Sequence, residues 1–239
     1  MKPRKRAHHH RQGLAAGALL WPLLASAAAI TDGSTGAVQS LAGSFTVPQA
    51  LGTLRGSNLF HSFSRFSIAT GESATFSTRD AGIRHVISRV TGGEASSFNG
   101  PLTLSAADGS SPSFWFVNPS GITVGAGAAF NVPGSLHLSS APQLQFADGA
   151  VWDARSASGS TLTVAAPDRF GFLGGSAAAA LLWQDTSLAL NAGSTLGLSG
   201  GSVTIERSLV GAPEGRVQVQ SPGAVTVADQ ARLYALPGL

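Results

Sequence analysis

Apolar and small polar residues alternate along most of this chain, yet never for long. "SLHLS" (135–139), "QLQFA" (143–147), "TLTVA" (161–165), "SLALN" (187–191), "TLGLS" (195–199), "SVTIE" (202–206), "RVQVQ" (216–220) and "AVTVA" (224–228) each put two apolar side chains on one side of an extended segment. That period of two predicts a strand at each. The intervening "DGA", "NAGS", "SGG", "PEG" and "SPG" are turn chemistry, so the chain keeps turning after three or four extended residues. Only "SAAAALLW" (176–183) favours a helix, and it is short and has no polar face.

Short strands at such close spacing suit an antiparallel sandwich or a right-handed parallel β-helix. The monotonous recurrence of two apolar residues per segment, in strands short even for a sandwich, favours the β-helix. At roughly 25 residues per coil the chain beyond its leader makes about 8 coils, a stack roughly 40 Å long at about 4.8 Å per coil. The first coil of such a stack exposes unpaired backbone groups and needs a cover. The stretch "SNLFHSFSRF" (57–66) lies near the start, and Phe60, Phe63 and Phe66, with Phe45 and Phe76, are the expected cap and core there. Pattern alone thus predicts an all-β chain and leaves the choice open, with the right-handed parallel β-helix favoured over the sandwich.

Residues 1–29 distort the bulk figures. Lys2, Arg4, Lys5, Arg6 and Arg11 precede or open the apolar stretch "GLAAGALLWPLLASAAA", in which Ala25-Ser26-Ala27 or Ala27-Ala28-Ala29 offers a cleavage site. The pattern predicts a secretory signal peptide over 1–29 and one β-domain over 30–239. Pro22 breaks the apolar run, which is short for a bilayer, so no integral membrane segment is expected after cleavage. His8, His9 and His10 leave with the leader. What remains carries ten arginines, no lysine and twelve acidic residues, a net charge of −2. Without a clustered basic face, nucleic acid is not an expected partner. The chain has no cysteine, so disulfides do not hold it after export.

Little in the sequence points to catalysis. "GLSGG" (197–201) matches G-x-S-x-G around Ser199, but a nucleophile elbow needs a following helix and a later histidine, and the last histidine is His137. The match reads as a glycine turn between two strands. His61, His85 and His137 lack metal-ligand spacing. Asp80, Asp108, Asp148, Asp153 and Asp168 stand mostly beside Gly, Arg or Pro, in turn positions. Asp148 and Asp153 could approach one another, as a glycoside-cleaving β-helix would require, but solvated turn positions are the favoured reading. "TGGE" and "FLGGS" have neither the lysine nor the helix of a phosphate loop. No catalytic residue, metal site or cofactor is expected.

The order of motifs carries more. "TDGSTG" (31–36), "GSNLFHSFSRFSI" (56–68), "TGESATF" (70–76), "ISRVTGG" (87–93), "FNGPL" (98–102), "FWFVNPSGITVGAGAAFNVPGSL" (114–136), "LQFADGA" (144–150) and "LTVAAPDRFGFLG" (162–174) follow in succession. Over 30–239 the chain resembles the N-terminal secretion domain of the filamentous haemagglutinin family, the exoproteins of two-partner secretion (TPS), and the "NLFHSF" and "NPxGI" pair is highly specific. The resemblance implies a right-handed parallel β-helix with an N-terminal cap. It implies export to the periplasm of a Gram-negative bacterium, then passage through an outer-membrane transporter whose periplasmic POTRA domains recognise this region, with folding at the cell surface beginning here. It places transporter recognition on Asn58, Leu59, Phe60, His61, Ser62 and Phe63, and on Asn118, Pro119, Gly121 and Ile122. Ser120 stands where the family usually has Asn, and a serine side-chain bond is expected to preserve the turn.

Members of that family are commonly adhesins, haemagglutinins, haemolysins or contact-dependent toxins, with the activity in a long downstream portion. Here the chain stops at Leu239, soon after "RLYAL". An open final coil is expected there, implying a continuation, a partner or a truncated product. Two other readings remain. One is a complete small surface adhesin for a host-cell or bacterial surface ligand. The other is a polysaccharide-degrading β-helix working through Asp148 and Asp153.

Overall fold

The computed structural model describes residues 28–107, 109–158, 160–172 and 178–235. Residues 1–27 of the leader with its histidines, Asp108 and most of "FLGGS" lie outside them. The chain opens with β1 (Ala29–Thr31), β2 (Ser40–Leu41), β3 (Phe45–Pro48), one turn of 3-10 helix (Gln49–Leu51), β4 (Thr53–Arg55) and the nine-residue β5 (Asn58–Phe66). Then follow β6 (Ala74–Ser77), β7 (His85–Val90), β8 (Ser96–Phe98), β9 (Pro101–Ser105), β10 (Ser113–Val117), β11 (Ile122–Val124), β12 (Ala129–Asn131) and β13 (Leu136–Ser139). β14 (Gln143–Phe146), β15 (Val151–Asp153) and β16 (Pro167–Gly171) form an excursion. The chain closes with β17 (Ala180–Gln184), β18 (Leu188–Ala189), β19 (Thr195–Ser199), β20 (Ser202–Glu206), β21 (Leu209–Gly211), β22 (Arg216–Gln220), β23 (Val225–Ala228) and β24 (Arg232–Tyr234). No α-helix is present among the described residues.

The strands fall on three faces that the chain visits in rotation. The first is the parallel series β5-β7-β10-β13-β19-β22, and the second is β8-β11-β17-β20-β23. The third consists of two parallel sheets, β3-β6-β9-β12 and β18-β21-β24. Thr186 Oγ1 to the Ala128 carbonyl (2.8 Å) and Asn191 Nδ2 to the Pro133 carbonyl (3.1 Å) join those two. Parallel neighbours in rotation are what a coiled β-chain produces, and a sandwich would not give them.

Register gives the length of each circuit. Asn58 pairs with His85, His85 with Ser113, Phe114 with Leu136 and Leu196 with Val217, so circuits run from 28 down to 21 residues. Leu136, however, pairs with Leu196, 60 residues on, because the excursion leaves the stack at this corner. Six strands on the first face therefore stand where eight coils were expected. The start of the chain and the excursion absorb the missing residues.

Two inward apolar residues per strand fill most of the interior. On the first face these are Leu59 and Phe63, Val86 and Val90, Phe114 and Phe116, Leu136 and Leu138, and Leu196 and Leu198, all buried. The early circuits are aromatic. Phe66 lies 5.1 Å from Phe63, 5.7 Å from Phe45 and Phe76 and 5.9 Å from Phe98, and Phe98 meets Phe116 and Phe130. Beyond Trp183 of β17 the inward residues are aliphatic, and Val225 and Val227, in register with the buried Val203 and Ile205, are nearly half exposed.

The cap is built differently from expectation. β4 pairs antiparallel with the first half of β5 (Leu54 with Leu59), and β1 with its second half (Ala29 with Phe66), so the outer edge of the first sheet is closed by backbone. Phe45, Phe63, Phe66 and Phe76 lie beneath this cap in the main core. Phe60 belongs to another core altogether. "SAAAALLW" becomes strand β17 from Ala180, with Leu181 and Trp183 inward between β11 and β20. "TLTVA" (161–165) forms no strand.

Candidate functional site

β5 carries the first motif, and its period of two divides that motif between two environments. Leu59, His61 and Phe63 share the register of the inward Val86, Ser88 and Val90, while Asn58, Phe60 and Ser62 face outward. All six residues are at most 1% exposed. The outward three would meet solvent on a bare stack, and they do not because the excursion lies over Asn58 and Phe60 while Asp32 and Arg89 close over Ser62.

Three kinds of contact make this cover. Asn58 Nδ2 donates to the carbonyls of Thr163 (3.0 Å) and Ala165 (2.6 Å), over 100 residues downstream. Phe60 packs 5.2 Å from Trp152 and 5.9 Å from Phe146, inside a second core that includes Ile87, Trp115, Leu144 and Phe170. Ser62 Oγ donates to Asp32 (2.6 Å) and accepts from Arg89 Nε (2.8 Å).

Arg89 is the hub of this arrangement. It faces outward from β7 beside Ser62 and is 1% exposed. Its Nη1 donates to the Asp153 carbonyl (2.5 Å) and Ser160 Oγ (2.9 Å), and its Nη2 to the Ala157 carbonyl (3.0 Å) and Ser34 Oγ (3.2 Å). The guanidinium also sits 4.5 Å over the Trp152 ring. Burial pulls its pKa down, and Asp32 and Asp153 pull the other way. Burial alone would raise Asp32, but bonds from Ser62, Ser34 and Thr91 outweigh it and hold the carboxyl below its usual range. A charged fork satisfied on every side thus ties the N-terminal strands, the β5–β7 pair and the excursion together. Sequence reading did not single Arg89 out. A lone arginine in the otherwise apolar "HVISRV" was the available signal.

His61 points into the core, fully buried, with the Leu51 backbone as the polar group beside its ring. A Cβ on Gly52 would lie 2.8 Å from its ring, so the close backbone approach there requires glycine. Burial pushes the imidazole down to about 4, opposed weakly by the Leu51 backbone. An unfolded histidine takes its proton near 6.5, whereas the folded one refuses it until about 4. Stability from this residue is complete above pH 6.5 and falls as pH drops towards 4, by about 3 kcal/mol in all. Urea midpoints at pH 7.5, 5.5 and 4.5 should follow this slope, and His61→Leu should flatten it. His85 and His137, both shifted down by burial, supply the remainder.

The second motif forms the corner between β10 and β11. Asn118 is fully buried: its Nδ2 donates to the Glu94 carbonyl (2.9 Å) and Ser96 Oγ (2.8 Å) of the preceding circuit. Its Oδ1 accepts from the Ser120 N–H (2.9 Å) and its carbonyl from the Gly121 N–H (3.0 Å). The turn thus survives with Ser120 because Asn118 supplies the side-chain bond, and position 120 contributes its backbone. Gly121, at φ +113, adopts a backbone that other residues rarely reach. Pro119 and Ser120 are half-buried beside Thr91, Gly93 and Arg155, and Gly121 and Ile122 are buried. Asn118→Ala should cost about 2 kcal/mol, readable in a urea titration, since it orphans buried partners in two circuits. β7 separates the two motifs on the first face, so they are two strands apart and form no joint pocket.

The remaining candidates have local roles. Asp148 caps the β14–β15 turn and accepts from Thr163 Oγ1, while Asp153 pairs with Arg155 (2.8 Å) at the other end of β15. They do not face one another across a groove. Ser199 ends β19, and the turn comes only at Gly200–Gly201, with strand β20 after it. Among the described residues no group of three His, Cys, Asp or Glu side chains is placed to hold a metal, and no helix is long and apolar enough to cross a membrane.

The family model described as TPS secretion domain matches residues 27–233. No curated protein and no solved structure matches the chain.

Proposed function

We propose that this chain, which belongs to the TPS secretion domain family, is the export address of a two-partner-secretion exoprotein and the part from which its fold grows. Its coils wind as a right-handed parallel β-helix. A signal peptide brings it to the periplasm, and the POTRA domains of an outer-membrane transporter read Asn58 to Phe63, and Asn118, Pro119, Gly121 and Ile122, while the chain is extended. Cleavage after Ala27 suits this reading, because Ala28 and Ala29 already bond to Leu41, Ser67 and Phe66. The chain acts through binding and folding, with no catalytic residue, and any surface adhesion would follow from export.

The observation that carries the proposal is the sealing of β5. Its six motif side chains are buried and both of its edges are paired, so a partner that reads this strand reads it before it folds. An extended segment with alternating side chains can add to a receptor sheet by backbone bonds, the pockets between them fixing register. In cells lacking the transporter the protein should stay in the periplasm. With the transporter present, Phe60→Ala should lower the amount exported, whereas Leu198→Ala, a core truncation outside both motifs, should not. Export of Phe60→Ala and Phe63→Ala at the parent level would overturn the address role.

A further inference from the structure

We infer that the excursion is an intramolecular cover for the address: once residues 143–171 have folded over β5, the outward side chains Asn58, Phe60 and Ser62 can no longer be read. This rests on the reading of β5 proposed above. The excursion is an insertion at a corner that needs none. Ser139 is in register with Val117 and Leu181 with Ile122, so residues 140–180 stand where the β10–β11 corner uses only Asn118 to Gly121. The next corner on that edge, from Ser199 to Val203, is equally short. Nothing in the stack's geometry demands the extra chain.

What the insertion does with its length is reach back across three strands of the first face to the address. Its tail places the Thr163 and Ala165 carbonyls on Asn58, its rings Phe146 and Trp152 on Phe60, and its Asp153, Ala157 and Ser160 on Arg89, which holds Ser62. Each outward address residue is thereby engaged, directly or through one intermediary. Because the covering residues follow β5 by some 80 to 107 positions in the chain, the address is synthesised, and would emerge from a pore, well before its cover. Closure of the excursion then marks the end of recognition and frees the folded chain from its receptor.

The test uses the full chain, the purified periplasmic domains of its transporter, and two ways of lifting the cover. In one variant Asn-Pro-Ser-Gly replaces residues 140–180. In the other, Phe146→Ser with Trp152→Ser removes the rings over Phe60 and leaves the stack intact. Circular dichroism and a cooperative urea transition establish that each is folded. Surface plasmon resonance should show the folded parent inert, the parent binding while it refolds from urea, and at least one folded uncovered variant binding tenfold or more above the folded parent. If the refolding parent binds but both folded uncovered variants stay inert, the cover is not what hides the address, and the address reading survives. A folded parent that binds as well as the uncovered variants also overturns the inference. If nothing binds, refolding parent included, the address reading falls and the cover with it.

Discussion

Arg89→Met is expected to lower the unfolding free energy by about 3 to 5 kcal/mol and to loosen the excursion first. Methionine fills much of the volume but removes the Arg89 bonds to the Asp153 and Ala157 carbonyls and to the Ser62, Ser34 and Ser160 hydroxyls at a largely buried joint. It also removes a cation that acts on both Asp32 and Asp153, leaving Asp153 with Arg155 alone. Arg89→Lys should recover part of the loss, because an ammonium keeps the charge and cannot reach donors' positions spread over a planar fork. Hydrogen exchange resolved by segment is the measurement: protection over 143–158 should fall well before protection over 195–206. Equal loss in both would mean that Arg89 serves the whole stack and not the joint.

Phe63→Ala should cost a similar amount, about 3 to 5 kcal/mol, yet distribute it differently. The ring is fully buried among Phe66, Phe76 and His61, at centroid distances of 5.1, 6.2 and 6.3 Å, and none of these can collapse into the space without leaving its own contacts. The whole denaturation curve should therefore move. Phe60→Ala, three residues away on the opposite side of the same strand, removes the centre of the second core instead. Its effect should concentrate in the excursion and leave the urea midpoint of the stack nearly unchanged. Two near-identical substitutions in one motif thus separate the two cores, and intrinsic tryptophan fluorescence, with Trp152 in one and Trp183 in the other, can follow both.

The sequence was most legible where one rule sufficed. Alternation located β13, β14, β19, β20, β22 and β23 to within a residue or two. It was blind to partners: "SLHLS" and "QLQFA" have the same pattern, yet Leu136 pairs parallel within the stack and Leu144 antiparallel outside it. "TLTVA" has the pattern and no ladder, because the carbonyls of Thr163 and Ala165 are taken by the side chain of Asn58. "SAAAALLW" was misleading in the other direction, since neighbouring strands on both sides impose extension on residues that would choose a helix alone. The motif residues were found by resemblance and their alternate facing follows from the strand period, but the burial of the outward Phe60 depends on which strand face the excursion covers. That fact is written some 90 residues away. Arg89 was hidden for the same reason, its acceptors being supplied mainly by backbone carbonyls and serines that no spacing rule connects to it.

The gradient from phenylalanine-filled early circuits to valine-filled late ones gives the molecule a mechanical polarity. Among the described residues a load applied from the carboxyl side meets β22 to β24 first, each with one described neighbour in its sheet and with Val217, Val219 and Leu233 packed beneath. Circuits there peel singly, at low force, like stitches. The same pull must reach the interlocked rings around Phe66, backed by the antiparallel strands β1 and β4, before the last of the fabric gives way. Tension from one direction unravels this protein gradually, and the opposite end is the anchor.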